Sequence, residues 1–170
     1  MRIARFTTGS NPMFGIVQEK DGVDMVYGIS GDPLYTQIQP NGTILPLEDV
    51  RLLAPVIPRS KVVGVGKNYA EHAREMGDEA PERPLLFLKP NTSVIGPNDP
   101  IVYPADAAEL SFEAELAVVI KTLAKNIPAE RASDVILGYT CANDLTAVSY
   151  THLTLPTTAR RCRSRWSPYH

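Results

Sequence analysis

The chain has 170 residues, 44% hydrophobic and 21% charged, enough apolar material for one ordinary domain or two small ones. No stretch approaches the roughly 20 consecutive apolar residues of a membrane span, and the N-terminus MRIARFTTGSNP lacks the apolar core of a secretory signal, so a soluble, cytoplasmic protein without a membrane partner is expected. The net charge of −2 becomes −6, 13 basic against 19 acidic residues, once the segment after Ala147 is set aside; that acidic body argues against a nucleic-acid groove and suits an enzyme whose anionic substrate is held by a metal ion.

Residues 1 to about 58 alternate apolar runs with turn clusters: Ile3 to Thr7, Phe14 to Gln18 and Val23 to Ile29 are separated by GSNP and KDG, which predicts a small antiparallel β unit. Pro55 and Pro58 cannot donate ladder hydrogen bonds, so a domain boundary is expected near residue 58. Lys61 to Gly66 (KVVGVG) reads as a strand feeding a helix over Tyr69 to Met76, stopped by Gly77. Leu85 to Lys89 reads as a strand and Asn91 to Pro100 as a turn-rich connection. Leu110 to Lys121 is the strongest strand, Pro128 to Val135 a short helix, and Ile136 to Asp144 a returning strand.

Val148 to His170 (VSYTHLTLPTTARRCRSRWSPYH) has neither apolar periodicity nor caps, and Arg160, Arg161, Arg163 and Arg165 crowd its last eleven residues. It back-translates to a transposase-type sequencing adapter, so it is expected to be a non-native tail, and His152 and Cys162 are set aside with it. Three segments are thereby expected: 1–58, 59–147 and 148–170. Neither Cys141 nor Cys162 has a CxxC partner, which speaks against a disulfide framework or zinc cluster.

Chemistry concentrates in three places. In Ser111-Phe112-Glu113-Ala114-Glu115, a strand turns Ser111, Glu113 and Glu115 to one face. The two Glu Cα atoms then stand roughly 6.6 Å apart, from which both head groups can reach one hard cation. An oxygen-only pair favours magnesium, manganese or calcium over zinc. The alternative is a solvated strand face, but the continuously apolar run Leu116 to Ile120 reads as a strand buried on both faces, leaving the carboxylates at the mouth of a core element. His72 and Glu75, three residues apart on a helix, share a face, and the carboxylate can fix the imidazole tautomer as a general base requires; a surface histidine in a routine ion pair is the other reading. Asp144 ends an apolar strand, where it could complete a metal site or merely mark a turn. The strand-GxG-helix pattern at Gly64-Val65-Gly66 invites a dinucleotide reading, which fails because Tyr69 occupies the third glycine position and no second βαβ unit follows.

The segments VVGVGKNYAEHAREMG, PLLFLKPNTSVIGP, FEAELAVVI and GYTCANDLTA together resemble the fumarylacetoacetate hydrolase family in order and spacing over residues 61 to 147. Residues 1 to 58 resemble the small β unit that some bacterial members carry. The resemblance implies an α+β fold, a small N-terminal antiparallel unit followed by an incomplete mixed β-sandwich roll. It implies that Glu113, Glu115 and Asp144 bind Mg²⁺ or Mn²⁺ and that His72, paired with Glu75, activates water or moves a proton. Implied substrates are 2-oxo or 2,4-dioxo acids, including acylpyruvates and ring-cleavage products of aromatic catabolism. The implied outcome is hydrolysis of a carbon–carbon bond, decarboxylation or keto–enol isomerisation, by a homodimer when full length. Ser111 departs from the Asp or His of many members, and the family's later acidic residue, its substrate-contacting lysine and its closing strands are missing. An inactive fragment or pseudo-enzyme keeping part of a metal site is the rival reading.

Overall fold

The computed structural model describes residues 1–148 other than Ser10, Met76, Asp78 and Ala80, with the side chains of His72, Glu75 and Val148 outside the description. These residues belong to two compact units, one of Met1–Pro100 and one that starts at Ile101.

In the first unit, β1 (Arg2–Thr7), β2 (Met13–Lys20), β3 (Val23–Ile29), β4 (Pro40–Pro46) and β5 (Arg51–Leu52) form a sheet in the order β4-β3-β2-β1-β5. All these neighbours pair antiparallel. The KDG cluster makes the tightest turn: Lys20 stands opposite Val23, and Asp21 and Gly22 have φ of 53° and 80°, the left-handed pair that matches strand twist in a two-residue hairpin. Alternation then sends Ala4 and Phe6 to one face, where they meet Val17 and Val26 in a buried core bordered by Met13, Leu45, Leu47, Val50 and Leu52. Gly15, opposite Ala4, lets this core close: a Cβ there would lie 2.5 Å from Val26 Cγ1 and 3.1 Å from Phe6 Cε1. At the open end, Arg2 donates hydrogen bonds to both carboxylate oxygens of Asp24, one at 2.8 Å. Those bonds, aided by the attraction of the charges, hold the Asp24 carboxyl below the ordinary range.

Strands β4 and β5 were not among the sequence expectations. Prolines bound β4 and Asn41-Gly42 opens it, and β5 has only two residues, held by Phe6 and Thr7 of β1.

Also in the first unit, β6 (Lys61–Gly66) pairs antiparallel with β7 (Leu85–Pro90), and α1 (Ala70–Glu75) lies between them in sequence. Register places Val63 opposite Leu88 and Val65 opposite Leu86, so these four apolar side chains share a face, and all four are exposed. Buried Ala73 anchors α1, and Gly77, at φ 76°, donates to the Arg74 carbonyl as the expected stop.

The second unit is built on β8 (Glu109–Ile120) and β9 (Ile136–Val148), an antiparallel pair connected through a 3-10 turn (Ala129–Arg131) and α2 (Ala132–Val135). Burial alternates along β8, with Ser111, Glu113, Glu115, Ala117 and Val119 half-buried and the residues between them exposed. The run Leu116 to Ile120 is therefore covered on one face only: Leu116 is 61% exposed, and Val118 and Ile120 are open as well. A continuous apolar run cannot distinguish a strand with two covered faces from one whose second face is bare. The architecture is of the expected type, a small antiparallel β unit followed by an incomplete roll of open sheets with short helices, and all its described pairings are antiparallel.

Candidate metal centre

The candidate site rests on the register of β8 against β9. Glu113 stands directly opposite Asp144 and Glu115 opposite Ala142. Opposed residues of an antiparallel pair project to the same face, with Cβ atoms roughly 4.5–5.5 Å apart, and the diagonal from Glu115 to Asp144 is roughly 7–8 Å. One face of the ribbon thus carries three carboxylates, flanked by the hydroxyl-bearing pair Ser111 and Thr146. The small Ala142 opposite Glu115 leaves the face open on that side.

Glu113, Glu115 and Asp144 are half-buried, and Asp144 Oδ1 is wholly covered from solvent. Anions directly across a strand pair repel, the more so where water is excluded, and a positive charge placed among them offsets that cost. The donor set fits a hard divalent cation, since three carboxylates supply oxygen ligands alone and no thiol or imidazole. The side chains do not form a closed cage: among the described residues no three metal-ligating groups converge. What the backbone supplies is common orientation and spacing.

His72 and Glu75 both lie on α1, with backbone positions three residues apart; their side chains lie outside the described residues. The strand-to-helix junction before them holds Lys67 at φ 52°, a left-handed conformation uncommon for a non-glycine residue. A groove of about 460 Å³ elsewhere in the first unit, bordered by Val50, Arg51 and Asp99, contains none of the candidate residues. Sequence reasoning named Asn143 only as the neighbour of Asp144 and gave it no role of its own. Its side-chain Oδ1 accepts the backbone N–H of Glu113 at 3.2 Å, and the only available signal was its place beside Asp144.

Fold and site together define a class: a β-rich protein with three carboxylates on one face of an antiparallel pair and a short histidine-bearing helix that follows an alternating strand. Comparison with known proteins makes the class specific. The chain belongs to the fumarylacetoacetate hydrolase family, whose C-terminal domain model matches residues 61–169, and residues 1–55 match the N-terminal unit described as Rv2993c-like. The first of these matches runs on through 148–169, the stretch set aside in the sequence.

Protein Rv2993c of Mycobacterium tuberculosis is 55% identical over 117 residues, 69% of this chain and 42% of that one. The mitochondrial oxaloacetate tautomerase fahd2 of Xenopus laevis is 41% identical over 107 residues, 63% of this chain and 34% of its own length. The crystal structure of 5-carboxymethyl-2-hydroxymuconate delta-isomerase from Mycobacterium smegmatis superposes with a TM-score of 0.75 at 44% identity, covering 86% of this chain and 56% of that one. The chain therefore spans about half the length of its structural relative and less of the curated ones. Among the described residues no helix is long and apolar enough to cross a membrane.

Proposed function

We propose that this chain is the metal-binding part of a divalent-cation-dependent enzyme that acts on 2-oxo or 2,4-dioxo acids. The observation that carries the reading is the register that sets Glu113 opposite Asp144 with Glu115 on the same face. Glu113, Glu115 and Asp144 would hold Mg²⁺ or Mn²⁺. When bound, the cation supplies Lewis-acid chemistry toward the 2-oxo carboxylate and stabilises enolate charge. His72 takes or returns the proton beside the substrate carbonyl, and Glu75 keeps its imidazole in one tautomer. That proton transfer serves isomerisation and the enolate left by decarboxylation; for carbon–carbon hydrolysis His72 instead takes its proton from the water that attacks the carbonyl. The names of two relatives, a delta-isomerase and an oxaloacetate tautomerase, support its being the central step.

The proposal extends to organisation: a β domain over 1–58, a catalytic portion over 59–147, and a cytoplasmic homodimer when full length that takes a small-molecule partner rather than nucleic acid or membrane. Mn²⁺ titration tests the metal reading. The unaltered chain should bind one ion, and Glu115→Ala should weaken binding by at least about tenfold, the lower bound for disturbing even a ligand's supporting contact. Equal affinity in both would end the assignment. In a full-length form, His72→Ala should lower oxaloacetate tautomerisation by about two to four orders of magnitude with Mn²⁺ affinity kept, and near-normal turnover would return His72 to a surface role.

A further inference from the structure

A two-stranded ribbon is marginal in water, and burial specifies its register only through the face that is covered. In β8 and β9 that face, with Ser111, Glu113, Glu115, Ala117 and Val119, is only half-buried, and on the other face Phe112 is 77% exposed with Leu116, Val118 and Tyr139 exposed too. A slip of one residue would carry Glu113 away from the face of Asp144, and a slip of two would remove it from opposite that residue. The candidate site needs a register pin that hydrophobic burial does not provide.

We infer that Asn143 is that pin, a positioning residue which fixes the backbone of Glu113 against β9 and so keeps Glu113 and Asp144 opposed. Its Oδ1 accepts the Glu113 N–H at 3.2 Å across 30 residues of sequence. Only an acceptor can face an N–H, so the amide is held with its oxygen toward β8. Asn143 itself stands opposite Ala114, whose methyl group leaves room for the reach. One step of β9 therefore does two jobs: Asn143 clamps the Glu113 backbone, and Asp144 presents the carboxylate that Glu113 must meet. Neither the carboxylate pattern nor the helix pair contains this role. The inference rests on the metal reading proposed above, and its test separates the two.

The test uses the 170-residue chain with Asn143→Leu, which keeps approximate size and removes the acceptor, and Asn143→Asp, which keeps the acceptor. Hydrogen exchange at the Glu113 amide is read without cation, and Mn²⁺ affinity is read separately. Asn143→Leu should expose the Glu113 amide selectively, leave Val17 and Val26 protected, and weaken Mn²⁺ binding about 10- to 100-fold. Asn143→Asp should retain Glu113 protection. Unchanged protection and affinity in Asn143→Leu overturn the role. So does loss of protection at Val17 and Val26 as well, which would make the change a general unfolding, and so does failure of Asn143→Asp to retain protection. If the unaltered chain binds no Mn²⁺, the metal reading falls and this inference with it; if it binds Mn²⁺ and Asn143→Leu binds equally well, only the positioning role falls.

Discussion

Gly15 illustrates how one residue decides whether the N-terminal sheet has a core. Its row across the sheet, Ala4 opposite Gly15 and Gly15 opposite Gly28, is built of small residues, and the space they leave is taken by Phe6 and Val26, both fully buried. An added Cβ would come within 2.5 Å of Val26 Cγ1 and 2.9 Å of the Tyr27 carbonyl oxygen, and the second of these is backbone that cannot rotate away. Glycine in a strand ordinarily weakens it, so a general β-propensity scale ranks alanine above glycine here. Packing reverses that order. Gly15→Ala should destabilise the chain by about 1–3 kcal/mol, the usual cost of overpacking a closed core, measured as a lowered urea midpoint at unchanged slope. An equal or higher midpoint would show that the sheet opens to admit the methyl group.

At the scale of elements, what could be read from the sequence depended on how local the determining physics was. The Asp21-Gly22 turn, the strand β6 and the stop at Gly77 are set within a few residues, and each lies where the pattern places it. The face shared by Glu113 and Glu115 follows from strand parity alone. Their pairing with Asp144 is set by register between segments about 30 residues apart, and no periodicity encodes it; the family resemblance gave the trio, and the strand pair gave its arrangement. Strand β5 exists because β1 offers it an edge, and the bare apolar face of β8 depends on what packs against it; neither fact is local. The ribbon also carries a conflict between stability and function. Opposed carboxylates are unfavourable when no cation lies between them. Glu113→Gln should therefore raise the melting temperature of the metal-free chain slightly and weaken Mn²⁺ affinity, two readouts that move in opposite senses. A variant that loses both stability and affinity would mean that Glu113 is held by packing rather than set against Asp144.

For the whole molecule, the deciding feature is apolar surface. In the first unit Val63, Val65, Leu86 and Leu88 form one bare face, and in the second Phe112, Leu116, Val118 and Tyr139 form another. Isolated exposed apolar residues are ordinary, but contiguous faces of this kind on two-stranded sheets are not stable endpoints in water, because they also present unpaired strand edges to other copies. The sheet with a closed core, β1 to β5, has no such face at its centre. The 170-residue chain should consequently self-associate, with sedimentation coefficients that rise with concentration and bound ANS that fluoresces strongly. Leu86→Lys combined with Leu116→Lys places a charge at the middle of each face without replacing any of the three carboxylates, and should lower both signals. The chain alone should not turn over oxaloacetate or an acylpyruvate, whereas a longer protein that covers both faces should. Were the unaltered chain monodisperse, silent toward ANS and active on such a substrate, the two bare faces would have to be closed by the 170 residues themselves, and the fragment reading would be wrong.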